Sequence, residues 1–338
     1  TYAHLVRDAA VRIGAECEIG AVAHVLGQSA RWASHRQKLS GRFELIHDLL
    51  SEAAALMRRS GERCLTSAHV GAAIIERRGR NSLMEDRLHD SIRRGSILID
   101  ITGAIVGQVN ALTVRDLGDH AFGLPSRITA RSSVGKLGVI NIERATLMGG
   151  PIQQKGVMVL EGFLAGRFAR NFPLSFSASI TFEQNYGGIE GDSASLAELC
   201  AVLSDLADLP IRQDIAVTGS VNQLGQVQAV GGIHQKAEGF FRACQERGPL
   251  TGAQGAIVPA GNEENVILRD EVGQAVADGR FHVWSVGHVD EAIELLTGVA
   301  SGAGTKDGKY PSRSVYGRVL AKLAEYDRLL TERAVQKG

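Results

Sequence analysis

Apolar residues recur three and four positions apart through most of the first eighty residues. In "RFELIHDLLSEAAALMRR" the positions Phe43, Leu45, Ile46, Leu49, Leu50, Ala53 and Leu56 line one face, which predicts an amphipathic helix. "LTSAHVGAAIIERR" predicts a second, shorter helix with Thr66 or Ser67 as its start signal. Glycine is sparse here and no alternating pattern appears, so residues 1–80 read as an all-helical domain.

From about Gly95 the period changes. "SILIDITGAIVGQVNALTV" is β-branched and punctuated by turn residues, with Thr102-Gly103 predicted as a hairpin turn. "GVINIERATL" and "LSFSASITFEQ" read as strands, the second alternating Leu174, Phe176, Ala178, Ile180 and Phe182 on one face. Between them "IQQKGVMVLEGFLAGRFA" reads as a helix. Strands and helices then alternate: helices over 194–207, 233–245, 270–278 and 289–297, and strands at "DIAVTGSV", "QVQAV", "GAIVPA" and "FHVWSV". "SGAGTKDGKYPS" (301–312) is a linker, and 313–333 a terminal amphipathic helix. The domains expected are 1–80 (helical), 81–94 (connector), 95–300 (mixed strand and helix) and 301–338 (linker and terminal helix), an α+β protein.

Composition narrows the function classes. The 338 residues carry no net formal charge and a near-neutral isoelectric point, so no basic nucleic-acid surface is indicated. The four cysteines stand far apart with no C-x-x-C pair, which fits a reducing compartment better than zinc or a disulfide frame. No apolar run approaches a bilayer span, and the first residues lack the pattern of a signal peptide. The expectation is a soluble, cytoplasmic protein with neither membrane nor nucleic acid as partner. A chain beginning at Thr1 reads as a piece of a longer protein.

The stretch "GGIEGDSASLAELC" (187–200) bunches small and acidic residues ahead of an apolar helix and admits three readings. Asp192, Ser193 and Ser195 are good helix caps, and Ser195 with Glu198 has the spacing of a capping box. A glycine-rich loop opening a helix can cradle phosphate, although no G-x-x-x-x-G-K-[ST] motif occurs in the chain. A serine here can also be a nucleophile, with helix N–H groups stabilising an oxyanion. A histidine base for it would have to be His234, His282 or His288, oriented by Asp270 or Asp290, and none has a distinguishing local context.

Lysine usage points to another base. The chain has 8 lysines against 29 arginines, and between Lys155 and Lys306 only Lys236 occurs, in "AVGGIHQKAEGFF". Arginine stays charged near neutral pH, whereas a desolvated lysine can lose its proton. Ile233, Ala237 and Phe240 give Lys236 an apolar helical face. A solvated surface lysine remains the alternative.

"GGIEGDSASLAEL", "LPIRQDIAVTGSVNQLGQVQAVGGIHQKAEGFF" and "GAIVPAGNEENV" resemble, in order, the proteolytic domain of Lon-type proteases, in the branch whose serine sits in G-D-S-A-S. The resemblance covers about residues 95–297, and the serine and lysine stand 43 positions apart. It implies a serine endopeptidase with Ser193 as nucleophile and Lys236 as general base. Thr218 would help hold the lysine, and Asp192 would be a supporting acidic neighbour. "HAFGLPSRITA" (120–130) is similar to the stretch leading into the proteolytic core. Residues 1–80 resemble the lid subdomain that closes an AAA+ ATPase module, with Arg31 as a nucleotide-sensor candidate. The resemblance also implies an ATPase subdomain before Thr1 that would bind ATP and magnesium, no cofactor in the present residues, a hexameric ring, and unfolded or damaged proteins as substrates.

Overall fold

The computed structural model describes the chain apart from Asp119, Asn171, Lys306 and residues 336–338. Those positions in the predicted 301–338 segment lie outside the described residues. Two compact units are present. The first comprises Thr1–Leu88 with Asp116–Ala121 and Glu264–Ile267; the second comprises His89–Arg115, Phe122–Glu263 and Leu268–Gly338.

The first unit is built from α1 (Tyr2–Arg12), β1 (Glu16–Cys17), α2 (Ile19–Ala33), α3 (Phe43–Arg59), β2 (Cys64–Leu65), α4 (Ser67–Asn81) and the start of α5 (Leu83–Arg93). The predicted apolar stripe of α3 is its inner face: Ile46, Leu49, Leu50 and Ala53 are buried against Val6, Val25 and Val70. Thr66 caps α4 and forms a capping box with His69. The all-helical expectation is corrected in one detail, because β1 and β2 form a two-residue parallel pair. Two residues are too few to show a period of two in the sequence.

The second unit contains β3 (Ala104–Val106), β4 (Gln108–Asp116), β5 (Ala121–Val134), β6 (Gly138–Asn141), α6 (Ile142–Ala145), α7 (Pro151–Phe168), β7 (Phe176–Phe182), α8 (Ser195–Ala207), β8 (Pro210–Arg212), β9 (Ile215–Val217), β10 (Ser220–Val221), β11 (Val227–Gln228), α9 (Ile233–Arg247), β12 (Gly255–Pro259), α10 (Asp270–Ala277), β13 (His282–Val286), α11 (Val289–Thr297) and α12 (Val315–Val335). Seven strands make one mixed sheet in the order β13-β12-β9-β4-β5-β7-β6. The alternation read in the β7 segment is real: Phe176, Ala178, Ile180 and Phe182 are all buried.

Thr102-Gly103 is not a hairpin turn. Residues 97–101 form no strand, and β3 pairs instead with β8, antiparallel. The β-branched run before Thr102 has no partner strand, so propensity is overridden by tertiary context. Similarly, "GVINIERATL" is a strand only to Asn141, whose side chain caps α6 through Arg144 N–H. At the centre of the unit α8 is buried on nearly its whole circumference and packs on α7, α11 and α12. A helix enclosed in this way cannot move without disturbing its neighbours, so its N-terminus is a rigid platform.

Candidate active site

Ser193 stands on that platform, half-buried in the turn just before α8. Of the three readings of this stretch, side-chain capping is absent. The N-cap position is Ala194, which has no capping side chain. Ser195 Oγ accepts the Val221 N–H at 3.1 Å, Asp192 Oδ2 accepts the Ser220 hydroxyl at 2.9 Å, and Glu198 is turned into the interior. Backbone acceptors take over the capping role: Ser195 N–H donates to Asp192 O at 3.0 Å and Leu196 N–H to Gly219 O at 3.1 Å. Among the described residues, the N–H groups of Asp192, Ser193 and Ala194 donate to no protein acceptor. They are available to an oxyanion.

The phosphate reading also loses ground. Glu190, in the same glycine-rich loop, accepts the Ile152 and Gly191 N–H groups, each at 3.1 Å. This carboxylate occupies the α7 N-terminus, where a phosphate would otherwise find its N–H donors.

Lys236 lies in the second turn of α9, whose N-cap Gly232 has φ +70°. Its ammonium donates to Thr218 Oγ1 at 3.0 Å. Thr218 Oγ1 in turn donates to the Ser193 carbonyl at 3.1 Å, and Gly219 N–H donates to the same carbonyl at 2.8 Å. A fully buried threonine therefore couples the lysine to the serine's residue. Only 3% of Lys236 is exposed. Burial lowers its pKa from 10.5 to about 8, opposed by the attraction of the Asp192 carboxylate.

The depth of Lys236 has a steric cause that the sequence reading missed. A Cβ on Gly123 of β5 would lie 2.0 Å from Gln235 O and 2.7 Å from Lys236 Cα, and one on Gly239 would lie 2.1 Å from Gly123 O. Two glycines thus let α9 press its backbone directly onto β5. A cleft of about 370 Å³, lined by Lys155, Asp192, Asn222 and Gln228 among others, opens beside the loop.

The histidine alternatives have other uses. His288 lies 3.2 Å from Asp290, and its Nε2 faces the Leu224 carbonyl at 3.0 Å. His282 Nε2 faces Gly252 O at 2.8 Å, and its ring stacks on Trp284. His234 is buried in α9, and Asp270 opens α10. Arg31, in α2, donates through its guanidinium to the Ile267 carbonyl. Among the described residues no group of three or more His, Cys, Asp and Glu could hold a metal ion, and no helix is long and apolar enough to cross a membrane.

A half-buried serine thus lies beside uncommitted N–H donors, and a threonine hydrogen-bonds both that serine's backbone carbonyl and a desolvated lysine, groups of the kind that acyl transfer uses. Comparison with known proteins gives the class a family. Residues 186–298 match the Lon protease (S16) C-terminal proteolytic domain, and residues 16–80 match the archaeal LonB AAA+ ATPase lid domain. A putative Lon protease homolog of Escherichia coli (strain K12) is 45% identical over 223 residues, which cover 65% of this chain and 38% of that protein. Its counterpart in Haemophilus influenzae is 37% identical over 255 residues, 75% of this chain and 42% of the relative. The archaeal Lon protease of Archaeoglobus fulgidus is 29% identical over 299 residues, 87% and 43%. The chain spans about two-fifths of the length of these curated relatives. It belongs to the Lon family, with a segment matching the AAA+ lid domain followed by one matching the family's C-terminal proteolytic domain.

Proposed function

We propose that Ser193 and Lys236 form the catalytic dyad of this peptidase. Neutral Lys236 accepts the Ser193 hydroxyl proton as Oγ attacks a peptide carbonyl, and the resulting ammonium passes that proton to the leaving amine. The oxyanion is received by the free N–H groups at 192–194. Thr218 keeps Nζ aimed, and Asp192, tied to Ser220, steadies the charge that Lys236 gains. The observation that carries this reading is the Lys236–Thr218–Ser193 chain of hydrogen bonds around a lysine that burial has brought near neutrality. With a pKa of about 8, roughly one-tenth of Lys236 is neutral at pH 7, against roughly one in three thousand for an ordinary lysine.

The substrates that fit are unfolded or damaged polypeptides, since an extended backbone is needed to reach a half-buried serine. Assembly into a hexameric ring, a cytoplasmic setting and ATP dependence in a longer protein belong to the same proposal; the match to an AAA+ lid domain is what supports the link to ATP. ATP with magnesium would supply the work of unfolding through an ATPase subdomain, and in the present chain Arg31 is the candidate to sense it. The test compares Ser193→Ala, Lys236→Ala and Lys236→Arg for cleavage of a fluorogenic peptide and casein from pH 6 to 10. All three should be inactive, because a guanidinium cannot serve as base. The unaltered chain should gain roughly tenfold in kcat/KM per pH unit until about pH 8. Substantial activity in Lys236→Arg would refute the lysine base.

A further inference from the structure

Beneath the Ser193 turn lies a set of buried polar side chains that the dyad does not use. Glu198 of α8, Glu143 of α6, Asn141 at the end of β6 and Gln153 of α7 are each no more than 3% exposed. Asn141 Nδ2 and Gln153 Nε2 both donate to Glu198 Oε1 at 3.3 Å. Phe182 N–H and the Thr181 hydroxyl donate to Glu143 Oε1 at 2.8 and 2.9 Å. Two buried atoms are left with no partner, Glu143 Oε2 and Gln153 Oε1. Both are acceptors. With two ionised carboxylates the cluster would hold more acceptors than donors can satisfy, and among the described residues neither carboxyl has a Lys, Arg or His ion pair. A buried carboxylate without a counter-charge is costly, and the missing component is a hydrogen.

We infer that Glu198 carries a proton at neutral pH, and that this neutral acid is a positioning residue for the reaction, bracing the Ser193 end of α8 against α7 and the 142–150 segment. A proton on Glu198 adds one donor to a cluster that is short of donors. Burial first, and the Glu143 carboxylate second, push Glu198 up from 4.5 to about 8, with the Gln153 hydrogen bond opposing. Among the described residues, Glu143 is the charged group that acts on it; α7 offers the Gln153 amide and β6 the Asn141 amide.

The connection to the site runs through backbone. Glu143 O accepts the Met148 and Gly149 N–H groups at 2.7 and 3.0 Å. That segment is laced to the loop ahead of Ser193: Ile189 N–H donates to Met148 O and Gly150 N–H to Ile189 O. Glu198 N–H, on the other side, bonds Ala194 O at 2.9 Å. Ionising Glu198 places two like charges in a dry pocket. The elements must then part or admit water, and the loop moves with them. Activity should accordingly fall on the alkaline side, opposite in sign to the limb set by Lys236.

The kinetic half of this inference rests on the peptidase reading, so the experiment has a spectroscopic half that does not. Infrared spectra of the whole chain at pH 7 should show the carbonyl band of a protonated carboxylic acid, and Glu198→Gln should lack it. The band should disappear from the unaltered chain as pH rises past about 8. In peptide cleavage, kcat/KM should pass through a maximum and then fall, approaching tenfold per pH unit; Glu198→Gln should lose the falling limb and keep the rising one. If Glu198→Gln does not fold, Glu143→Gln serves in its place: with the neighbouring charge gone, band loss and falling limb should both move to lower pH. Absence of the acid band at pH 7 overturns the protonation, whether or not the chain cleaves peptides. A falling limb unchanged in Glu198→Gln overturns the positioning role.

Discussion

The backbone contact between β5 and α9 can be broken with one methyl group. In Gly123→Ala the new Cβ would stand 2.0 Å from Gln235 O and 2.7 Å from Lys236 Cα, where ordinary contacts are about 3.3–4.0 Å. Neither neighbour is a flexible side-chain tip, so α9 must withdraw by roughly 1 Å. The Lys236 Nζ to Thr218 Oγ1 bond, now 3.0 Å, would stretch to about 4 Å and cease to be a hydrogen bond. Losing a bond to a charged group is worth about 1.5–3 kcal/mol, and a misplacement of about 1 Å can by itself cost about 100-fold in rate. Overpacking should also remove about 1–3 kcal/mol of stability. The expected result is a kcat/KM lowered about 100-fold, with a folded circular dichroism spectrum and a Tm lowered by a few degrees. Water admitted beside Nζ should additionally move the rising pH limb toward ordinary lysine values. Gly239→Ala, meeting Gly123 O at 2.1 Å, should behave alike. Gly166→Ala, on α7 with open space around its Cβ, is the control and should be neutral or slightly stabilising. Activity of Gly123→Ala within about threefold of the unaltered chain would refute the view that this contact sets the lysine.

Two further outcomes follow from the same hydrogen bonds and burial. Thr218→Val should lower kcat about 10–100-fold by leaving Nζ unaimed, while Thr218→Ser, which keeps the hydroxyl, should recover most of it in the same peptide assay. Lys236→Met should abolish cleavage yet raise stability at pH 7 by up to about 3 kcal/mol in urea unfolding: the folded-state pKa of about 8 lies below the ordinary 10.5, so the lysine destabilises the fold below pH 8 and progressively less up to about 10.5. A less stable Lys236→Met variant at pH 7 would show that Nζ is not appreciably desolvated.

What the chain discloses to a reader of its letters depends on the range of the interaction. The stripe of α3 and the alternation of β7 are local periodicities, and burial of Ile46, Leu49, Phe176 and Ile180 follows from them directly. Ser193, Thr218 and Lys236 stand in recognisable motifs, and in the folded chain Thr218 lies hydrogen-bonded between the other two. Gly123 and Gly239, by contrast, are 116 positions apart, and nothing near either signals the other. The Glu143–Gln153–Glu198 set draws on three helices, and each member alone looks like a surface residue. The run 97–101 has strand propensity and no strand, because β8 takes its place beside β3 from Ala104 onward.

The capping-box spacing that forms no capping box carries the most information. Ser195 and Glu198 have the composition and spacing of a helix start, and a helix does start there, at Ser195. Capping by side chains would have turned Ser195 and Glu198 outward over the first turn and tied up N–H groups near Ser193. Here Gly219 O and Asp192 O do that work from the backbone. The side chains are thereby released, Ser195 to anchor Val221 and Glu198 to enter the buried acid cluster. The N–H groups of Asp192, Ser193 and Ala194 are left without a protein acceptor among the described residues. Local rules that fail while the global fold holds mark places where function has overruled propensity, and in this chain that place is the turn carrying the nucleophilic serine we propose.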